Sequence, residues 1–307
     1  MRSPLIPRRG LMLGAGTAML GGRTPAAAPS TFRTVAPGVL TVANSGEMPM
    51  VGIEGDKMIG SDAEMIGAIA AKLGLGLKSA LMEWSATVQS VRSGRADVML
   101  GNMGWTPARA QALLITDAIY YGGAFAAVKR DKSLPDAITV ADMKGRSIGT
   151  VTGFTIVPEM KRVPGTTEVK LYDNSDGCVR DVVAGRLDFA LLDGPLMDYM
   201  ILQNPAWELK TVALKRDAAF PQLTSKQHTV MGMSQENHDL FDAVNAGVKW
   251  LWATKTNAAL MQKYGIKNPD YLEPPEPNPR IGVDRSADGG LIGPGGHAPK
   301  DFSALFA

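Results

Sequence analysis

The feature that most constrains the fold is a short unit that occurs twice. Its first copy, residues 94–97, reads Gly-Arg-Ala-Asp, and its second copy, residues 185–188, reads Gly-Arg-Leu-Asp about ninety residues later. In both copies an apolar-periodic helix precedes the glycine, which can adopt the left-handed conformation that ends a helix. A short apolar run typical of a buried strand follows the aspartate. The two copies therefore predict two similar α/β lobes.

Polar residues follow both predicted strands, at the end where ligands of open α/β sheets bind. The first strand runs into Gly101 and Asn102, and the second ends at Asp193. Thr106 and Pro107 then suit the N-cap and the first position of a helix. We therefore expect a ligand to bind between two lobes that face each other.

Arg109 falls in the first turn of the helix that begins after Thr106. The unpaired N–H groups of this turn and the guanidinium would face the same side, which suits a carboxylate. The structural alternative is an ordinary strand–loop–helix joint with a surface arginine. The second copy of the unit favours the ligand site over this alternative.

Further motifs occur in a fixed order along the chain. They are Gly60-Ser61-Asp62, Trp84, residues 93–97, Thr106-Pro107-Ala108-Arg109, Tyr120-Tyr121, residues 144–149, Gly153-Phe154-Thr155 and residues 185–188. In this order and spacing they resemble the bacterial extracellular solute-binding proteins of family 3, the periplasmic amino-acid receptors of ABC importers. The resemblance extends from about Leu40 to Tyr264. It implies a type II periplasmic binding fold, in which two α/β lobes are joined by a two-strand hinge.

The resemblance also implies which residues bind the ligand. Arg109 on one lobe would bind the carboxylate of an amino acid, and Asp193 on the other lobe would bind its ammonium group. Each charge-assisted contact contributes roughly 1.5–3 kcal/mol. Both contacts form only when the cleft shuts, so the ligand favours the closed state. The other expected ligand contacts are Ser45, Met48, Trp84, Asn102, Met103, Gly104, Trp105, Gly153, Phe154 and Thr155.

Two positions depart from the family pattern. The family usually has an aromatic residue at the position of Met48 and a proline at the position of Ile119. Met48 can still cover an apolar face of a ligand, because its thioether side chain is flexible.

Three of the expected ligand contacts also have structural explanations. Trp84 would belong to the core of a lobe, and Thr155 and Asp193 would only cap helices. The side chain of the ligand therefore stays open, and a small organic acid is an alternative to an amino acid as the ligand.

The two ends of the chain differ in composition from the lobes. Residues 1–30 combine early arginines, a short apolar run and an Ala-Ala-Ala cleavage site, which predicts a Sec or Tat signal peptide and a periplasmic protein. No cysteine lies near the cleavage region, so a lipid anchor is not expected. The Pro- and Gly-rich residues 269–307 at the other end predict an extended or disordered tail.

The chain between these ends divides into two lobes. We assign residues 36–127 and 229–268 to lobe 1 and residues 128–228 to lobe 2. The chain would cross the hinge between the lobes twice, at residues 124–128 and at residues 229–234.

Composition argues against several other classes of protein. The net charge of +2 gives no electrostatic footprint for nucleic acid, and the single cysteine excludes an internal disulfide and a cysteine-rich metal site. No nucleophile, zinc, phosphate or dinucleotide motif occurs. We therefore expect no catalytic activity, cofactor or metal. The resemblance implies a monomer that delivers its ligand to the membrane permease of an ABC transporter.

Two alternatives remain open at this point. Glu47 and Glu83 could approach the cleft as an acid pair, which would support proton transfer in a periplasmic dehydratase of the cyclohexadienyl or prephenate type. A ligand sensor that presents its closed form to a membrane receptor is the other alternative.

Overall fold

The computed structural model describes residues 32–130, 133–292 and 297–307. The predicted signal peptide, residues 1–30, therefore lies outside the described residues. Within the described ranges, two β-sheets form the centres of two lobes. None of the helices described in these ranges has the length and apolar character needed to cross a membrane.

Short strands and helices alternate along the described chain. In chain order the strands are β1 (Val39–Asn44), β2 (Gly52–Glu54), β3 (Lys57–Ile59), β4 (Gly76–Leu81), β5 (Val98–Met99), β6 (Leu114–Ile115), β7 (Tyr120–Gly122), β8 (Ala124–Lys129), β9 (Ala137–Ile138), β10 (Ser147–Val151), β11 (Glu168–Tyr172), β12 (Phe189–Asp193), β13 (Leu209–Leu214), β14 (Gln227–Thr229) and β15 (Gly232–Met233). The helices are α1 (Ser61–Lys72), α2 (Trp84–Arg92), α3 (Pro107–Ala112), α4 (Val157–Met160), α5 (Ser175–Val183), α6 (Gly194–Gln203), α7 (Pro221–Thr224), α8 (His238–Ala253) and α9 (Thr256–Lys263).

Lobe 1 is built on a five-stranded sheet with the strand order β4-β1-β5-β15-β6. β1 lies parallel to β4 and β5, so the carboxyl ends of these strands share one edge of the sheet. The apolar side chains of α1 recur at helical spacing, and Met65, Ile66 and Ile69 are fully buried in the core of this lobe. α8 and α9 pack against α1 and contribute to the same core.

Lobe 2 is built on a six-stranded sheet with the strand order β11-β10-β12-β8-β13-β9. β10 lies parallel to β11 and β12, whereas β8 runs antiparallel to β12 and β13. Ile148, Phe189 and Leu191 are fully buried in a core of this lobe. The carboxyl ends of β10 and β12 therefore lie at one edge, as those of β1 and β5 do in lobe 1.

The repeated unit ends a helix and links two parallel strands in both lobes. Gly94 and Gly185 follow helices α2 and α5 and adopt left-handed conformations, with φ of 68° and 73°, which confirms their predicted role as helix stops. The Asp97 carboxylate accepts a hydrogen bond of 2.7 Å from a backbone N–H of β1, and the Asp188 carboxylate accepts one of 3.0 Å from a backbone N–H of β10. Each aspartate thus ties its own strand to the neighbouring parallel strand.

The hinge consists of two strands, but they are not the segments that the sequence predicts. β7 and β14 pair antiparallel between the two larger sheets. The predicted outgoing segment, residues 124–128, lies in β8 and belongs to the lobe 2 sheet through its pairing with β12 and β13. The predicted returning segment, residues 229–234, runs from the last residue of β14 through β15, which belongs to the lobe 1 sheet. Lobe 2 therefore begins near Gly123 instead of at residue 128.

The described C-terminal residues, 269–292 and 297–307, pack mainly on lobe 1, although the composition of residues 269–307 predicts an extended or disordered tail. Their described part contains short 3-10 helices at Pro269–Leu272 and Ser303–Phe306, and it is otherwise largely irregular. Arg280 is only 2% exposed, and it forms an ion pair of 2.6 Å with Asp284. Arg280 also donates a hydrogen bond of 2.8 Å to a backbone carbonyl of lobe 1. These polar anchors hold a segment that has few apolar residues.

Candidate ligand site

A cavity lies between the carboxyl ends of the two central sheets. Lobe 1 and lobe 2 are in contact around it, and about 10 Å³ of free volume remains, roughly the space that one water molecule needs. A solute of amino-acid size therefore enters only when the lobes part. The residues that line this cavity are Glu47, Met50, Trp84, Gly101, Asn102, Gly104 and Arg109 from lobe 1, and Phe154, Thr155 and Asp193 from lobe 2.

Larger grooves of about 450 and 610 Å³ lie along the C-terminal tail. Neither of them is lined by residues from the carboxyl ends of both central sheets, where open α/β folds bind their ligands. The smaller cavity has this position and carries opposite charges on the two lobes. We therefore treat the cavity between the lobes as the candidate site.

The fold explains why chemically useful side chains meet in this cavity. Glu47 follows β1, and Asn102 lies in the loop after β5, so both lie at the carboxyl edge of the lobe 1 sheet. Thr155 lies in the loop after β10, and Asp193 ends β12, so both lie at the matching edge of the lobe 2 sheet. The two edges face each other across the hinge.

Arg109 lies at the start of α3, as the sequence predicts. Thr106 is the N-cap of this helix, and its hydroxyl accepts a hydrogen bond of 3.1 Å from the Arg109 N–H, which confirms the predicted cap. The guanidinium donates hydrogen bonds to the carbonyl of Gly104 at 2.6 Å and to the carbonyl of Gly153 at 3.0 Å. It also lies over the Trp84 ring, 5.6 Å from the ring centroid. Burial lowers the pKa of Arg109 to about 10, while nearby Asp193 opposes this shift.

Asp193 faces the same cavity from lobe 2. It stands at the N-cap position of α6, but its side chain makes no capping hydrogen bond, so helix capping does not explain this carboxylate. Burial raises the pKa of Asp193 to about 7, and the nearby Glu47 carboxyl adds to this increase. A hydrogen bond from Asn102 and the charge of Arg109 oppose it. An ammonium group in the cavity would favour the charged form of Asp193.

Gly153, Phe154 and Thr155 bring lobe 2 into the site. The carbonyl of Gly153 accepts the hydrogen bond from Arg109, and Phe154 forms an edge-to-face pair with Trp84, with centroids 6.2 Å apart. The Thr155 hydroxyl donates a hydrogen bond of 2.9 Å to the side-chain carbonyl of Gln227 in β14. The sequence predicts that Thr155 heads the next helix, but α4 begins at Val157, so Thr155 lies in the loop before it.

The loop after β1 places a different residue in the cavity from the one predicted. Met48 does not line the cavity, because its side chain packs against Gly52 in β2. Ser45 does not line it either, and its side chain hydrogen-bonds to Glu47. Glu47 and Met50 line the cavity instead. The loop after β1 therefore reaches the cavity, as the sequence predicts, but the residues that line the cavity are not the predicted Ser45 and Met48.

Met103 and Trp105 also lie outside the cavity lining. Met103 is fully buried in a core cluster. The Trp105 indole N–H donates a hydrogen bond of 3.1 Å to the carboxylate of Asp284 in the C-terminal tail. Asn102, the neighbour of Met103, does line the cavity, and its backbone is left-handed with φ of 52°. The tail accounts for the position of Trp105, and the family motifs do not include that tail.

Glu47 is the acid in the site that motif reasoning did not assign to ligand binding. It accepts a hydrogen bond of 3.0 Å from the backbone N–H of Ser175, at the start of α5 in lobe 2. Burial raises the pKa of Glu47, while its hydrogen bonds from Ser175 and Ser45 oppose this shift. Glu83 is exposed and does not line the cavity, so the acid that accompanies Glu47 there is Asp193. The sequence feature that could have identified Glu47 is its position as an acidic residue in the loop after the first strand.

No group of three or more His, Cys, Asp or Glu side chains within residues 32–130, 133–292 and 297–307 is arranged to hold a metal ion. The chemistry that the described cavity offers is charge pairing and hydrogen bonding. A guanidinium lies on one lobe, a carboxylate lies on the opposite lobe, and aromatic rings lie beside them.

Several known proteins are similar to this chain. The probable amino-acid-binding protein YxeM of Bacillus subtilis is 29% identical over 153 residues, which is 49% of this chain and 57% of that protein. The histidine-binding periplasmic protein of Salmonella typhimurium is 22% identical over 213 residues, which is 68% of this chain and 79% of that protein. The structure of an ancestral arginine-binding protein bound to glutamine superposes with a TM-score of 0.67 at 22% identity, covering 75% of this chain and 99% of that chain.

The structural match shows the two-lobed type II periplasmic binding fold, which confirms the predicted fold class. The model of the bacterial extracellular solute-binding proteins, family 3, matches residues 40–267, close to the extent of the resemblance in the sequence. This chain therefore belongs to the bacterial extracellular solute-binding proteins, family 3.

Proposed function

We propose that this protein captures a free amino acid, or a similar small zwitterion, by closing its lobes around it. The observation that carries this proposal is the placement of Arg109 on lobe 1 and Asp193 on lobe 2, both lining one cavity. A guanidinium suits a carboxylate because it can donate two parallel hydrogen bonds. A carboxylate on the opposite lobe suits an ammonium group. An α-amino acid carries both groups on one carbon.

Closure follows from the separation of the two charges. Arg109 belongs to lobe 1 and Asp193 to lobe 2, so a ligand contacts both only when the lobes come together. Each charge-assisted contact contributes roughly 1.5–3 kcal/mol, and that difference in contacts favours the closed state. The paired strands β7 and β14 let the lobes rotate as rigid bodies.

The remaining parts of the proposal concern the setting of the protein. Residues 1–30 serve as a Sec or Tat signal peptide, and the mature protein acts in the periplasm as a monomer without catalytic activity. Its closed form docks on the membrane permease of an ABC importer, which opens the lobes and takes the ligand. The family assignment and the names of its amino-acid-binding relatives support these steps.

Isothermal titration calorimetry with the standard amino acids, after a thermal-shift screen, tests the binding step. Arg109→Ala should weaken every α-amino acid ligand by at least about 100-fold, because a carboxylate then enters the site without its cation. Arg95→Ala is the matched control, since Arg95 is the exposed arginine of the repeated unit. Normal binding of amino acids by Arg109→Ala, or no binding by the wild-type protein, would contradict the proposal.

A dehydratase of the cyclohexadienyl or prephenate type is the second candidate. Glu47 and Asp193 both line the cavity, and burial raises the pKa of each carboxyl, which is the direction expected of a general acid; for Asp193 the pKa is about 7. Incubation with prephenate and with arogenate, followed by chromatography of the aromatic product, decides between the candidates. Turnover that Glu47→Gln abolishes would favour the enzyme, and binding without turnover favours the transport protein.

A further inference from the structure

We infer that Glu47 makes this site selective for amino acids with a cationic side chain. The inference rests on the proposed function, because it concerns the same cavity and assigns the part of the ligand that Arg109 and Asp193 do not contact. It starts from three observations: the balance of charge in the cavity, the position of Glu47 across the interface between the lobes, and the aromatic walls beside it.

The cavity has more carboxylates than cations. Among the described residues that line it, Arg109 is the one cation, whereas Asp193 and Glu47 are both acids. The α-carboxylate of an amino acid pairs with Arg109, and its α-ammonium group pairs with Asp193. Glu47 is then left without an opposite charge. A buried charge is costly unless an opposite charge pairs with it. A ligand that brings a second cation completes the balance, and a neutral or acidic side chain does not.

The neighbouring charges strengthen this preference. Glu83 lies near enough to repel the negative charge of Glu47. Asp62 is fully buried behind the cavity, and its carboxylate accepts a hydrogen bond of 2.8 Å from the Asn102 N–H. Both acids add negative potential on the side of lobe 1. The potential that a ligand meets beyond Arg109 therefore favours positive charge.

The contact that Glu47 makes within the protein crosses from lobe 1 to lobe 2. Glu47 accepts a hydrogen bond from Ser175 N–H at the start of α5, whereas Asn174 accepts one of 2.9 Å from Gly177 N–H in the same helix turn. Glu47 therefore joins the two lobes beside the ligand cavity, and this contact is available only while the lobes are together. When the lobes part, this carboxylate faces an incoming solute.

Apolar walls beside Glu47 suit the stem of a basic side chain. Trp84 is 5% exposed and pairs edge-to-face with Phe154 of the opposite lobe. Met50 also lines the cavity and is almost fully buried. Lysine and arginine carry a methylene stem that packs on apolar surface and a charged head that pairs with an acid. The cavity offers both surfaces next to each other.

Calorimetry with L-arginine and L-citrulline tests the inference. The two ligands have the same length and shape, but the ureido group of citrulline is neutral. We expect the wild-type protein to bind arginine at least about tenfold more tightly, which corresponds to about 1.4 kcal/mol. In Glu47→Gln this ratio should fall to about one through weaker arginine binding, while citrulline affinity changes little. Glutamine can still accept the hydrogen bond from Ser175 N–H, so the variant keeps the contact that Glu47 makes.

Glu83→Gln is the matched control, because Glu83 is an exposed acid near the site that does not line the cavity. This variant should keep most of the preference for arginine. The inference is overturned if wild-type protein binds citrulline as tightly as arginine, or if Glu47→Gln keeps the wild-type ratio. In either case binding that Arg109→Ala abolishes would leave the proposed function standing. Failure of the wild-type protein to bind any amino acid would overturn both.

Discussion

The Arg109 guanidinium of lobe 1 donates a hydrogen bond of 3.0 Å to the backbone carbonyl of Gly153 in lobe 2. The same side chain that we assign to the ligand carboxylate therefore also joins the closed lobes. A carboxylate is a stronger acceptor than a peptide carbonyl, so a bound ligand would replace this contact with a better one. Closure and ligand binding thus depend on one guanidinium, and changes at Gly153 should affect both.

Gly153→Ala should impair closure more than folding. Gly153 has φ of 85°, and a Cβ atom there would lie 3.3 Å from the Cα of Ser85 on the opposite lobe. The added methyl group would act as a wedge between the lobes. We expect the variant to bind its ligand at least about tenfold more weakly, which is about 1.4 kcal/mol, by calorimetry.

Gly145→Ala controls for backbone strain in the same experiment. Gly145 lies in lobe 2 with φ of 74°, and a Cβ atom there would have no neighbour within 4 Å. Both variants should lose about 1 kcal/mol of folding stability from the left-handed conformation. Only Gly153→Ala should lose ligand affinity, and equal affinity in the two variants would contradict the wedge.

Ligand affinity should rise with pH between about 5 and 8. Burial raises the pKa of Asp193 to about 7 in the closed protein, so this carboxyl is largely protonated at pH 5 and charged at pH 8. An ammonium group binds the charged form, and binding must therefore release a proton at low pH. Calorimetry in buffers with different ionisation enthalpies measures this release. Asp193→Asn should bind more weakly and release fewer protons, and an unchanged release would contradict the assignment.

The same pKa predicts the opposite trend for the closed protein without ligand. The pKa of Asp193 is raised above its usual value of 3.8, so the closed form binds more protons than a form in which water reaches this carboxyl. Its stability is therefore greatest below about pH 4 for this group, and it falls as the pH rises through about 7. Small-angle scattering without ligand should show a larger radius of gyration at pH 8 than at pH 5. Asp193→Asn should reduce this difference, and Glu47, whose pKa burial also raises, accounts for the remainder.

Asp97→Ala should destabilise lobe 1 strongly. The Asp97 carboxylate accepts backbone hydrogen bonds from Thr41 at 2.7 Å and from Val35 at 2.8 Å. Loss of the acceptor leaves a buried N–H group unpaired, which costs roughly 1–3 kcal/mol. Urea unfolding measures this change. Asp176→Ala is the control, because Asp176 forms an exposed ion pair with Arg180, and such pairs contribute roughly 0–1 kcal/mol.

Arg280→Ala should release part of the C-terminal tail. Removing one partner of a buried ion pair costs roughly 3–5 kcal/mol, and Arg285, whose guanidinium lies 3.3 Å from the Asp284 carboxylate, offsets part of this cost. Asp284, which pairs with Arg280, also accepts the hydrogen bond from Trp105. We therefore expect a lower melting temperature together with a red shift of tryptophan fluorescence. Lys300→Ala, which breaks an exposed pair with Asp239, should change neither.

The sequence predicts the two lobes because the repeated unit has a physical function in each of them. A glycine must end the helix in a left-handed conformation, and an aspartate must bind the neighbouring strand, so both residue types are required at that spacing. Arg109 and Asp193, the charged residues that face each other in the site, were predicted from their positions after these two units. The hinge was misplaced because an apolar run such as β8 does not indicate which sheet it joins.

The positions of other side chains in and near the site could not be predicted from the local sequence. Glu47 and Met48 are adjacent, and only the path of the loop decides that Glu47 lines the cavity. Trp105 follows the ligand loop in sequence, but a distant carboxylate from Asp284 fixes its orientation. The tail has little apolar content, and its attachment depends on buried charges such as Arg280, which resemble solvent-exposed residues in the sequence.

The tail is fastened on both sides of the hinge. The Lys226 ammonium group, next to β14, donates a hydrogen bond of 2.9 Å to the carbonyl of Asp270, and Tyr271 packs in a cluster that includes Leu196 of lobe 2. Arg280, a few residues later, is anchored in lobe 1. We therefore expect the segment from Asp270 to Arg280 to act as a tether that limits how far the two lobes can open.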